Sequence, residues 1–162
     1  MIRPVGADAL PALLALNNAH ARELSLLDRA RLEHLLAQAF HARVIGDATA
    51  FLIAFDETAD YDSPNYLWFR SRYPRFVYVD RIAVAPEARG RGLARALYAG
   101  LFAAAAATGQ HLICCEGNSD PPNPASDAFH AALGFREAGS AAIHGGAKTV
   151  RYLTLTLSHA AV

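Results

Sequence analysis

Arg89-Gly90-Arg91-Gly92-Leu93-Ala94 lies between a strand-like run, Val77 to Pro86, and a long helical pattern that begins near Gly92. Glycines remove the side chains that would hold the backbone away from a ligand. The turn aims N–H groups outward, and the helix behind it adds the positive end of its dipole. The stretch therefore predicts an anion cradle that suits a pyrophosphate. Other readings compete. A dinucleotide site requires G-x-G-x-x-G, but the third position here is Arg95 and the strand before it does not open the fold. A P-loop requires Gly-Lys-Ser/Thr, which is absent. A turn with solvated arginines is the plain alternative.

Outward from this turn, Arg75 to Val84 reads as a strand, and Gly92 to Thr108 as an alanine-rich helix ended by Gly109. His111 to Glu116 reads as the next strand, so Arg75 to Glu116 forms a βαβ crossover with parallel strands. Gly117 to Asn123, holding Pro121-Pro122, reads as a loop, and Ala125 to Leu133 as a short helix stopped by Gly134. Phe135 to Ile143 and Thr149 to Leu157 flank Gly145-Gly146 as a closing hairpin. Towards the N-terminus, Ile2 to Val5 reads as a short strand, and Asp8 caps an amphipathic run from Ala9 to Glu23. Asp28 starts a second helix through Phe40, and Arg43 to Ile45 with Ala50 to Phe55 form a hairpin around Gly46-Asp47. Asp56 to Tyr73 is polar and aromatic, a loop or a short helix. This order predicts an α+β fold, a mixed sheet with helices on both faces, with residues 1–162 as one domain.

Composition bounds the function. A hydrophobic fraction of 53% with 19% charged residues is globular, and no apolar run is long enough to span a membrane. A formal net charge of zero leaves no electrostatic footprint for nucleic acid or an anionic membrane. Met1 to Pro11 lacks the pattern of a secretory leader, so a cytoplasmic location is expected. Cys114 and Cys115 are adjacent, the wrong spacing for a disulfide or a C-x-x-C site, and read as small strand residues; no metal is expected.

The turn matches the Q/R-x-x-G-x-G/A acyl-CoA signature, and the chain thereby resembles the GNAT superfamily of N-acetyltransferases. Ile82-Ala83-Val84-Ala85-Pro86 resembles the family's fourth strand. Glu116, Asn123, Ser126, Phe129, His130 and Leu133-Gly134-Phe135 resemble its fifth strand and the helix ending in Gly-Phe. The Asp60-to-Arg81 stretch and Pro121-Pro122-Asn123-Pro124 are similar to a group of uncharacterised bacterial acetyltransferases. The resemblance implies a central sheet of six to seven strands, acetyl-CoA as cosubstrate, and direct transfer to an amine. It also implies that the parallel strands splay, leaving backbone groups of Ile82, Ala83 and Val84 to hold the pantetheine. Arg89, Gly90, Arg91, Gly92, Leu93 and Ala94 would hold the pyrophosphate, with Asn123, Ser126 and Phe129 as further CoA contacts. The alternative for Asn123 and Ser126 is a loop or helix-cap role.

The chemistry names the remaining candidates. A lysine-like amine has a pKa of about 10.4, so something must take its proton before it attacks a thioester. Glu116 is the first candidate base, because it stands at the carboxyl end of the strand beside the crossover; a surface or Arg-paired carboxylate is the alternative. Asp80 is the second, since strand alternation gives it the face of Ile82 and Val84, although it could equally pair with an arginine. Four residues before Gly134, where many family members carry a tyrosine acid, this chain has His130, either an acid or a packed residue. Tyr61, Asp62, Tyr66, Trp68 and Arg81 form the candidate acceptor wall, the alternative being that half of these aromatics fill the core. The expected acceptor is a small amine that also carries an anionic group, such as an amino acid. A non-catalytic acyl-CoA sensor, a protein N-terminal or lysine acetyltransferase, and a possible homodimer are the other expectations held open.

Overall fold

The computed structural model of the chain describes residues 1–21, 24–120 and 122–157. In chain order the elements are β1 (Ile2–Pro4), α1 (Leu10–Ala19), α2 (Arg29–Gln38), β2 (His41–Ile45), β3 (Ala50–Asp56) and α3 (Pro64–Arg70). They continue with β4 (Val77–Val84), α4 (Leu93–Ala107), β5 (Leu112–Asp120), α5 (Pro124–Leu133), β6 (Arg136–Ile143) and β7 (Lys148–Thr156). The seven strands form one sheet in the order β1-β2-β3-β4-β5-β7-β6. Only the β4–β5 pair among these is parallel, the product of the crossover through α4.

Strand alternation divides the core into two layers. Phe51, Ile53 and Phe55 of β3 face one cluster with Leu13 of α1, Leu32 and Leu35 of α2, and Tyr66 and Phe69 of α3. Ala50, Leu52 and Ala54 face the other, where Leu97, Tyr98 and Leu101 of α4 pack. Both faces are covered, which is why β3 reads as a continuous apolar run rather than an alternating one.

Local signals set several boundaries. Asp28 caps α2, its carboxylate accepting from the Arg31 N–H at 2.7 Å. Gly134 ends α5 in the left-handed region at φ 105°. The first helix stops at Ala19 instead of reaching Glu23, which with Arg22 lies outside the described residues. The expected loop from Gly117 is corrected: β5 continues to Asp120, because Gly117, Asn118 and Asp120 pair with Arg151, Val150 and Thr149 of β7. Of the proline pair in that stretch, Pro121 lies outside the described residues.

One irregularity bears directly on the site. In the β3–β4 ladder Ile53 opposes Arg81 and Ala54 opposes Val79, so Asp80 is an extra, unopposed residue and β4 carries a bulge there. A bulge reverses strand parity. Asp80 consequently faces the α1 side with Arg81, while Ile82 packs into the α4 cluster. The expectation that Asp80 shares a face with Ile82 and Val84 is thereby corrected.

Candidate active site

The parallel pairing of β4 and β5 covers Val77 with Ile113 and Tyr78 with Cys114, and beyond it the strands part. The Ala85 N–H donates to Thr49 O at 2.8 Å on the β3 side. Alternation then turns the backbone groups of Ile82 and Val84 towards the gap, and those of Ala83 towards β3. A cleft of about 1070 Å³ runs through this opening, from Ala94 and Phe129 on the α4 side to Tyr61, Asn65 and Lys148 on the other.

At the α4 end, Gly90 and Gly92 adopt φ of 81° and 73°, a conformation that favours glycine. A Cβ built at either would meet nothing within 4 Å, so open space lies above both. The helix opens with a hydrogen bond from the Ala96 N–H to Gly92 O at 3.0 Å, which leaves the N–H groups of Leu93, Ala94 and Arg95 beyond helical acceptors. Arg89, Gly90 and Ala94 line the cleft; Arg91 is exposed on the same turn, and Leu93 anchors α4 by packing against both core layers. These features fit a pyrophosphate: room, left-handed glycines, and unpaired donors at a 15-residue helix start.

At the gap itself Glu116 is half-buried and accepts a short hydrogen bond from the Tyr78 hydroxyl. Burial, reinforced by the charge of Asp80, pushes its carboxyl up to about 8; the Tyr78 bond, Arg81 and Lys148 pull the other way. A carboxyl so placed takes a proton near neutral pH more readily than an ordinary glutamate. Asp80 differs. Its two oxygens accept from the Tyr61 hydroxyl and from Arg81 Nε, each at 2.6 Å, so its proton-accepting positions are committed.

His130 is buried and also committed. Its Nδ1 lies 2.8 Å from the Ser126 carbonyl, which can only accept, so Nδ1 carries the proton and Nε2 is a lone pair. The Tyr98 hydroxyl donates to that lone pair at 2.8 Å. Burial holds the imidazole's pKa below its ordinary value. Both ring nitrogens are thus engaged, Nδ1 with Ser126 and Nε2 with Tyr98, and the ring turns no free N–H towards the cleft. Tyr98 also lines the cleft, its hydroxyl proton directed to His130 and its ionisation opposed by burial.

The expected acceptor wall is only partly there. Tyr61 and Asp62 line the cleft, Tyr61 mostly buried and Asp62 on the rim 3.6 Å from Arg31. Arg81 also reaches it, but its guanidinium is spent on Asp80, Asn17 Oδ1 at 2.9 Å and both oxygens of Ser25. Tyr66 and Trp68 are corrected. Tyr66 is fully buried with its hydroxyl donated to Asp56 O at 2.6 Å, and Trp68 stacks on Tyr152 with ring centroids 4.2 Å apart beneath Arg72. Asn123 caps α5, its Oδ1 accepting from the Ser126 N–H at 3.3 Å, while Ser126 and Phe129 line the cleft beside it.

The family model described as Acetyltransferase (GNAT) family matches residues 20–135. The chain belongs to this family. No curated protein matches the sequence. Among solved structures, the GNAT chain is similar to the ribosomal-protein-S18-alanine N-acetyltransferase of Escherichia coli. The two share 20% identity and a TM-score of 0.72, over 98% of this chain and 94% of the other. It is similar to the ribosomal-protein-alanine N-acetyltransferase of Brucella melitensis, at 24% identity and a TM-score of 0.72, over 97% and 99%. The NatC complex bound to Gag peptide and CoA gives 14% identity and a TM-score of 0.73, over 98% of both chains. At these identities the likeness concerns the fold. The GNAT family uses acetyl-CoA.

Sequence reasoning did not find Tyr78, Tyr98 and Asn65. Tyr98 sits beside Leu97 and before Leu101 in the helical repeat, so its pattern is that of a core residue and only its hydroxyl partner sets it apart. Tyr78 alternates with buried valines in β4, where nothing local marks the carboxylate that it meets. Among the described residues no group of acids, histidines or cysteines could hold a metal ion, and no helix is long and apolar enough to cross a membrane.

Proposed function

We propose that this GNAT protein transfers the acetyl group of acetyl-CoA directly to the nitrogen of a small amine, with Glu116 as the base. The observation that carries this reading is a single carboxyl, pushed up to about 8, standing where the sheet opens between its two faces. The cosubstrate supplies an activated thioester. Gly90, Gly92 and the first turn of α4 bind its pyrophosphate, and Ile82 and Val84 hold the pantetheine arm by backbone hydrogen bonds. Glu116 takes the proton of the acceptor's ammonium, directly or through water; the neutral amine then attacks the thioester carbonyl, and the C–S bond breaks to release CoA as its thiolate. A backbone N–H of β4 at Ile82 or Val84 stabilises the carbonyl oxygen as it gains charge. Tyr98, held by His130, is the hydroxyl on the sulfur's side of the gap.

A second reading, acetylation of a protein N-terminus, is favoured by the extent of the cleft. It continues past Glu116 between Leu24 and Ser25, after α1, and Ile143 and His144, before β7. Structural neighbours are named for acetylating ribosomal-protein alanine. Release of CoA from acetyl-CoA, followed with free amino acids, simple amines and short peptides, separates the readings. Turnover of small amines supports the first and turnover of peptides alone the second. Tight CoA binding without turnover of any amine would leave a non-catalytic binding domain.

A further inference from the structure

The slot between β4 and β5 has a closed end. Its ladder is shut at Val77 with Ile113 and at Tyr78 with Cys114. The next residue of each strand, Val79 and Cys115, packs into the α4 layer and lines the cleft. Each is only 3% exposed, so the cleft meets a small patch of both at its bottom. Tyr98 of α4, fully buried, lines the cleft beside them. The glycine turn at Gly90 and Gly92 lies at the opposite end of the slot, past Val84. A pantetheine arm that runs from this turn along Val84 and Ile82 therefore carries its thioester down towards Val79 and Cys115.

The β4 bulge sets how far down it reaches. Val79 opposes Ala54 and Ile82 opposes Leu52, so these two β4 residues stand two ladder positions apart although they are three apart in sequence. At about 3.4 Å per position, the closed end lies roughly 7 Å from Ile82 along the strand. A thioester carbonyl that accepts from the Ile82 N–H thus has its methyl directed at a nearby wall. A longer chain on this side meets a packed layer, and on the other side it enters the space beside Glu116 that the amine requires.

The wall is braced. The Tyr98 hydroxyl is held by His130 at 2.8 Å, and its ring packs among Phe102, Phe129 and Phe135. The Cys115 sulfur stands against the Tyr98 hydroxyl, and burial pushes its thiol well above the ordinary value. It stays a neutral S–H, which packs as a small apolar group instead of acting as a nucleophile. A close-packed layer of this kind does not yield to added methylenes without cost.

We infer that Val79 and Cys115, backed by Tyr98, form the end wall of the acyl site and restrict the transferred group to a short chain such as acetyl. The inference rests on the proposed course of the pantetheine arm, and it deepens that reading by naming the residues that select the acyl group.

The test is calorimetric titration of the full chain with CoA, acetyl-CoA and butyryl-CoA, which needs no acceptor. Wild type should bind butyryl-CoA no more tightly than acetyl-CoA. Val79→Ala takes two methyl groups from the wall, and butyryl carries two methylenes more than acetyl. Each buried methylene is worth about fourfold in affinity, so the variant's preference for butyryl-CoA over acetyl-CoA should rise about tenfold above that of wild type. Affinity for free CoA should stay the same. Cys115→Ala should act in the same direction to a smaller extent, and it decides the matter alone if a thermal melt shows Val79→Ala to be unfolded. Tighter binding of butyryl-CoA by wild type overturns the wall. So does a preference unchanged in the folded variants while free CoA still binds, and that result leaves the CoA reading standing. Failure of wild type to bind free CoA removes both.

Discussion

Glu116→Gln removes the proton acceptor while keeping the side chain's size and its ability to accept from Tyr78. With the carboxyl titrating at about 8, about 9% is ionised at pH 7 and about 91% at pH 9. The wild-type rate at subsaturating acceptor should therefore rise about tenfold across that interval through Glu116 alone. The acceptor amine also titrates there, but its contribution appears equally in the Gln variant. The ratio of wild type to variant, measured by CoA release from pH 6 to 10, isolates the carboxyl and should show a midpoint near 8. At pH 9 the variant should be slower by about 100-fold or more. Tyr78→Phe removes a donor that holds the value down, so its midpoint should move higher.

Stability should respond with the opposite sign to an ordinary carboxylate. Between about 4.5 and about 8 the folded chain holds a proton on Glu116 that the unfolded chain lacks, so stability is lost as pH rises through that window. At 1.36 kcal/mol per pH unit the ceiling is on the order of 5 kcal/mol. Urea melts at pH 5 and pH 9 should show that loss in wild type and a smaller one in the Gln variant. A wild-type to variant ratio that is flat from pH 7 to 9, or a variant within threefold of wild type at pH 9, would sink the assignment.

Other expectations separate site from scaffold. Tyr66→Phe loses a buried bond to Asp56 O and should cost about 1 kcal/mol in a urea melt with KM unchanged, whereas a residue of the acceptor wall would raise KM. Arg81→Leu strands the Asp80 carboxylate in a buried setting and should cost about 3–5 kcal/mol, read as a large fall in melting midpoint. Gly92→Ala forces a side chain into φ 73° at the head of α4. It should cost about 1 kcal/mol of stability and weaken CoA binding, measured by calorimetry. His130→Phe leaves the Tyr98 hydroxyl without its acceptor; the maximal rate should fall, but no step near pH 6.5 should vanish from the pH profile, since the imidazole is already neutral there.

Much of this protein was legible without coordinates because the signals are local. Gly90 and Gly92 announce a left-handed turn, since few other residues adopt that backbone cheaply, and the apolar spacing behind them announces a helix. A strand before and after that helix then requires a right-handed crossover, and so a parallel pair. Asp28 and Gly134 marked helix ends for similarly local reasons. Topology put Glu116 beside the crossover, but not at a strand end: β5 runs on to Asp120, and Glu116 lies mid-strand just past the last β4–β5 pair.

The rest depended on which distant segments meet. An alternation count assumes an unbroken ladder, and one unopposed residue across from Ile53 and Ala54 turned Asp80 to the other face. Tyr66 and Trp68 look the same in sequence whether they line a cleft or fill a core, and only packing against Asp56 and Tyr152 decides between them. The proton on His130 is assigned by the Ser126 carbonyl and by Tyr98, a residue 32 positions away. Tyr78, 38 positions from Glu116, helps set that carboxyl's affinity for a proton. Sequence patterns carry backbone preference and periodicity, which are properties of neighbours along the chain. Burial and hydrogen-bond commitment arise between residues far apart in sequence, and at this site they decide which groups are left to do chemistry.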